Sequence, residues 1–169
     1  MSNLIVLAFD TEAGATNMLA EVGRLQKMQL IALDDAATVI RHADGKVKVK
    51  QVNSLVGAGA FGGAFWGMLI GLLFFAPWLG LAVGAVTGAL AGKVSDIGVD
   101  DEFIKSVSAK LQPGTSAIFL MVREATTDRV LDDLRGIQGV SVIQTSLSHE
   151  AEERLRETFA TPGREEIAA

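Results

Sequence analysis

The chain contains no cysteine in its 169 residues. Disulfides, thiolate metal sites and a cysteine nucleophile are therefore excluded. Histidine is nearly absent: His42 and His149 stand far apart with no ligand pattern around them. His42 reads as a turn-flanking surface residue and His149 as a helix-start residue. Basic residues are outnumbered, 15 against 20 acidic, giving a net charge of −5 and a pI near 5.0. A general nucleic-acid binder needs a basic face to neutralise phosphates, so no nucleic-acid partner is expected. No Gly-Lys-Ser/Thr phosphate loop and no recognisable serine–histidine–acid triad occurs. Asp96, Asp100, Asp101 and Glu102 do not follow the spacing of a Ca²⁺ loop of the EF-hand type. Asp100 suits a helix cap and the others an N-terminal dipole, so no metal is expected. The expectation is a chain that is not an enzyme and holds no cofactor, with any small-molecule ligand left open.

One further absence organises everything else. Between Lys50 and Lys93 there is no charged residue at all. Within that run the glycines recur every fourth position: Gly59, Gly63, Gly67 and Gly71, then after Pro77 Gly80, Gly84, Gly88 and Gly92. A period of four places each series on one helical face, leaving a groove of bare backbone suited to close helix packing. The two arms meet at Phe74-Phe75-Ala76-Pro77-Trp78, which reads as the corner of a helical hairpin. The glycines lack the strand–turn–helix setting of a dinucleotide fingerprint. Glycine in a water-exposed helix costs about 1 kcal/mol relative to alanine, so close packing must offset it. A lipid-embedded hairpin does this, and so does a helical pair buried inside a soluble oligomer. A transmembrane helix needs roughly 20 apolar residues. The first arm meets this and the second fits marginally, which favours the membrane. Trp66, Phe74, Phe75 and Trp78 suit the headgroup level, while Lys46, Lys48, Lys50 and Lys93 flank the run on one side. By the positive-inside rule that side is cytoplasmic, with both termini on it.

The flanks have ordinary soluble composition. Asn3 to Phe9 is a wholly apolar run, read as a strand covered on both faces and not as a signal peptide. Asp10 and Thr11 offer N-cap chemistry and Glu12 a first-turn carboxylate for a helix carrying Ala15, Met18, Val22 and Leu25. Leu30 to Leu33 reads as a strand and Ala37 to Arg41 continues extended. Asp44-Gly45 then makes a hairpin turn. Lys46 to Val52 alternates, with Val47 and Val49 opposite Lys46, Lys48 and Lys50. Those lysines are either a solvated strand face or a contact for anionic lipid.

After the run, Asp100 to about Leu111 reads as a helix ended by Pro113-Gly114, and Ser116 to Val122 as a strand. Thr126 or Thr127 caps a helix with Val130, Leu131, Leu134 and Ile137, and Gly139 turns into a strand from Val140 to Thr145. This second βαβ unit echoes the first, which points to an α+β fold, a ferredoxin-like α/β sandwich with the hairpin inserted. The expected organisation is a discontinuous α/β domain over residues 1–52 and 94–147, the hairpin over 53–93, and a charged helix and tail over 148–169.

Several blocks together resemble one bacterial family: Asp34-Asp35-Ala36-Ala37, Asp44-Gly45-Lys46-Val47-Lys48-Val49, the double glycine series with Phe74-Phe75-Ala76-Pro77, Asp96 to Lys105, and Pro113 to Phe119. This is the domain-of-unknown-function family twelve-sixty-nine, predicted membrane proteins. The resemblance covers about Asn3 to Ser146 and leaves the C-terminal helix outside. It implies a bacterial source and membrane association, and no reaction. The functional expectation is a self-associating structural or stress-linked scaffold in the bacterial inner membrane, with lipid and its own copies as partners. The alternatives are a hairpin-lined pore and a large soluble ring or cage that buries its hairpins.

Overall fold

Two apolar segments more than a hundred residues apart in the chain lie side by side at the centre of one sheet. The structure is a computed structural model that describes residues 3–52, 101–145 and 148–160. The elements are β1 (Asn3–Phe9), α1 (Gly14–Lys27), β2 (Ile31–Arg41), β3 (Val47–Val52), α2 (Asp101–Lys110), β4 (Thr115–Ala125), α3 (Thr127–Leu134), β5 (Val140–Thr145) and α4 (His149–Ala160). The fold is α+β. Its sheet is five-stranded with order β3-β2-β4-β1-β5, and every pairing is antiparallel. The connection from β1 to β2 passes over β4, and that from β4 to β5 passes over β1, so the two βαβ units interleave. That order is compatible with the ferredoxin-like arrangement, with β3 added at one edge. The hairpin insertion over 53–93 lies outside the described residues.

The central strands lack polar alternation because both faces are buried. In register, Leu7 pairs with Ile118 and Ile5 with Leu120, and these side chains meet the helices. Ala15, Met18, Val22 and Leu25 of α1, Val130, Leu131 and Leu134 of α3, and Leu155 of α4 complete that core. The offset set, Leu4–Met121, Val6–Phe119 and Ala8–Ala117, points to the second face together with Ala37 and Val39. Phe119, Met121, Val6 and Val39 are fully buried there. Helix α2 contacts β5, and its side of the sheet is tied to β2 by Arg41, whose Nη1 donates to the carbonyl of Leu111 at 2.8 Å. Each such aliphatic or aromatic side chain contributes about 1.5–3 kcal/mol by leaving water.

Three local features depart from the sequence reading. Helix α1 begins at Gly14 with Ala13 at the N-cap position and no side-chain cap, so Asp10 and Thr11 do not cap it. The backbone N–H of Ala15 instead donates to Ser116 Oγ at 3.0 Å, and that hydroxyl donates to the carbonyl of Thr11 at 2.6 Å. A buried serine on β4 thus satisfies a helix end that sequence-local donors leave open. Strand β2 is also continuous where two pieces were expected. It passes through Asp34-Asp35 by way of register shifts between Ala32 and Leu33 and between Leu33 and Asp35. An extra residue in the ladder lets the strand carry two consecutive acids. Asp34 is held by Arg123 Nε at 2.7 Å, and Asp35 Oδ1 accepts the N–H of Ala36 at 2.8 Å. Finally, Thr126 occupies the N-cap position of α3 but makes no side-chain cap bond.

Candidate functional site

Strand β3 closes one edge of the sheet, and its register decides where its lysines go. Lys50 pairs with Thr38 and Lys48 with Ile40, whereas Val49 pairs with Val39 and Val47 with Arg41. Lys48 and Lys50 therefore share the face that carries the helices, at an edge lying past α1, while Val47 and Val49 extend the apolar second face. Lys48 and Lys50 are exposed, as is Val49. Among the described residues no carboxylate sits within ion-pair distance of Lys48 or Lys50. Lys46 is weakly paired: its Nζ lies 3.8 Å from Asp44 Oδ2, and its side chain is 82% exposed. The strand is oriented by an Asp44-Gly45 turn in which His42 N–H donates to the carbonyl of Lys46 at 2.8 Å. Gly45 adopts φ +86°, the left-handed conformation that the turn demands. The result is a row of cations at a sheet edge, on the strand immediately preceding the uncharged run.

The same end of the sheet brings together groups that sequence reasoning kept apart. Glu12 does not enter the first turn of α1. Its Oε2 lies 2.9 Å from His42 Nδ1, and its Oε1 accepts the N–H of Ala43 at 3.1 Å. One carboxylate thereby clamps the β2–β3 turn from which β3 starts. Both side chains of the pair are about two-fifths exposed. Ser116 is nearby in the fold but fully buried, and its hydroxyl proton is committed to Thr11. No sequence-local signal announces either contact, since Glu12 and His42 are 30 residues apart and Ser116 and Ala15 are 101 apart. His149, by contrast, sits at the start of α4 as expected and pairs with Glu153 one turn on, Nε2 to Oε1 3.2 Å.

Of the residues expected at the membrane interface or in helix packing, Lys46, Lys48 and Lys50 fall among those described. Gly59, Gly63, Gly67, Gly71, Gly80, Gly84, Gly88 and Gly92 lie outside them, as do Trp66, Phe74, Phe75, Trp78 and Lys93. The same holds for Asp96 and Asp100 of the acidic cluster. Among the described residues no helix is long and apolar enough to cross a membrane, a statement that leaves residues 53–100 untouched.

A family model described as protein of unknown function (DUF1269) matches residues 60–160, more than half of the chain. The chain belongs to that family. The DUF1269 match takes in α2 through α4 together with the apolar run from residue 60 onward. It therefore includes the C-terminal helix that the sequence resemblance left out, and it begins after β1, α1, β2 and β3. The lysine-bearing strand and the Glu12–His42 clamp lie on the portion of this DUF1269 protein outside the match. No curated protein and no solved structure matches the chain.

Proposed function

We propose that this DUF1269 protein is a membrane-anchored, self-associating structural module whose ferredoxin-like domain sits on the cytoplasmic face. The observation that carries the reading is the placement of Lys48 and Lys50. They are exposed, without a carboxylate partner among the described residues, and borne by the strand that runs into a segment with no charged residue until Lys93. A lysine near an anionic leaflet contributes about 1 kcal/mol, so a short row beside an apolar anchor sets its orientation. The glycine series at four-residue spacing supplies faces for hairpin pairing and for association between copies.

The experiment is flotation of the full-length protein from carbonate-washed native membranes without detergent, followed by sizing of the fraction that holds it. The reading expects recovery in the floated membranes, release by detergent alone, and a particle larger than one chain. Recovery as a detergent-free soluble particle overturns the anchor. Release by detergent as a monomer overturns the self-association and leaves the anchor standing.

A further inference from the structure

Helices α1 and α3 share one face of the sheet but are not pressed together along their length. Helix α3 is only eight residues long and packs against α4, while α1 rests on β1, β2 and β4. Arg156 Nη1 holds α4 to the carbonyl of Val142 at 2.9 Å, and Arg154 holds it to Asp128 of α3. Helices α3 and α4 are thus tied to each other, and α1 shares their buried core on the same face of the sheet. An ion pair, Arg24 Nη2 to Asp133 Oδ2 at 3.6 Å, straps α1 to α3 across the gap. Between these helices and the sheet lies a partly open pocket of about 270 Å³. Leu7 and Leu120 contribute to its floor, and Met18, Val22, Val130 and Leu134 to its walls.

The pocket opens to solvent at one side, and the apolar side chains at its base are nearly fully buried. Protein interiors hold few voids bigger than a water molecule. Water entering from the mouth finds few hydrogen-bond partners on the apolar base, so an apolar occupant displaces it at little cost. The rim is where polarity begins, with Asn3, Arg123, Glu124 and Thr127. The guanidinium of Arg123 is already balanced by Asp34, so Glu124 leaves the mouth with an excess negative charge. An anionic head group is repelled there and a cation finds no partner inside.

We infer that this cavity is a binding site for a small uncharged apolar molecule of about ten heavy atoms, an indole-sized ring system carrying at most one hydrogen-bond donor. The size follows from proportion: a dry cavity of about 150 Å³ takes one benzene, and this one is roughly twice as large. The donor belongs at the rim, where Glu124 and Thr127 offer oxygen acceptors. The site lies on the helix side of the sheet and stands independently of the membrane reading.

The methionines make the test direct. Met18 lines the cavity, Met121 is fully buried on the opposite face of the sheet, and Met28 is half exposed. The full-length protein, in whichever form it is isolated, is labelled with ¹³C at the methionine methyls and titrated with indole and with indole-3-carboxylate. Indole is expected to move the Met18 methyl saturably through its ring current while Met121 stays in place. The carboxylate is expected to bind at least tenfold more weakly, and Val22→Phe, which fills the cavity, to abolish the indole shift. An unmoved Met18 up to the solubility limit of indole overturns the site. So does a shift that never saturates and is shared with Met28. Equal affinity for the carboxylate overturns the assignment of an uncharged ligand. Because the wild-type Met18 signal alone decides the first question, failure of the filled variant to fold does not remove the test.

Discussion

A methyl group at position 14 has no room. A Cβ built on Gly14 falls 2.3 Å from Phe9 Cβ and 2.5 Å from Phe9 Cγ, and the first of these atoms is fixed to the β1 backbone. The first turn of α1 therefore approaches the end of β1 as closely as it does only because residue 14 is glycine. Gly14→Ala is expected to destabilise the domain by about 1–3 kcal/mol, the range for an added carbon in a packed core. Gly23→Ala in the same helix meets nothing within 4 Å. It is expected to be neutral or to stabilise by up to about 1 kcal/mol through helix propensity. Urea unfolding of the two variants beside the parent checks both, and similar midpoints would sink the steric account. Ser116 illustrates the same economy: one buried hydroxyl meets both a helix N–H and a loop carbonyl, and the helix starts without a local cap.

At the scale of the element, α1 carries a surface pair with a defined pH signature. Arg24 Nε lies 3.1 Å from Glu21 Oε1, and the guanidinium's hydrogen bond holds the Glu21 carboxyl below its ordinary value of 4.5. A carboxyl whose pKa is lower in the folded than in the unfolded chain contributes stability above the unfolded value. That contribution is lost as pH falls through the folded value. Glu21→Gln is therefore expected to lower stability slightly near neutrality, by the small amount a surface pair contributes, and to flatten the same amount of stability loss below about pH 4.5. Thermal melts of the two proteins between pH 7 and pH 3 check this, and parallel curves would sink it.

Elements of this kind were largely legible in the sequence. Wholly apolar runs announced β1 and β4, Asp44-Gly45 announced the hairpin, and the stripe of Ala15, Met18, Val22 and Leu25 announced the buried face of α1. The echo between the two βαβ units pointed to a ferredoxin-like sandwich, with which the observed strand order is compatible. What escaped were contacts between positions distant in the chain. The sequence points to extended segments on either side of residues 34–36 and is silent on the two acids between them, which a bulge plus Arg123 on the neighbouring strand accommodates. Glu12 read as a helix residue because its partner, His42, follows 30 positions later. The cavity escaped for the same reason, since its volume is set by how far α3 stands from α1 and no linear pattern encodes that.

For the whole molecule, the decisive question is whether the β3 edge faces lipid at all, and the lysines provide a readout within one chain. Lys27 closes α1 and is exposed, whereas Lys48 and Lys50 are exposed on the edge strand next to the uncharged run. In free solution, exposure alone predicts similar reactivity of all three amines toward a small acylating reagent. If the β3 edge rests on an anionic surface, Lys48 and Lys50 lose reagent access, while Lys27 at the end of α1 keeps it. Protein reconstituted in vesicles containing phosphatidylserine is therefore expected to label several-fold more slowly at Lys48 and Lys50 than at Lys27. The protection is expected to weaken in neutral vesicles and in high salt. Site-resolved mass spectrometry after a short pulse measures all three positions at once. Equal labelling in every vesicle would mean that the lysine row is only a solvated edge and that the domain is held away from the bilayer. The anchor would then have to be judged on the apolar run alone.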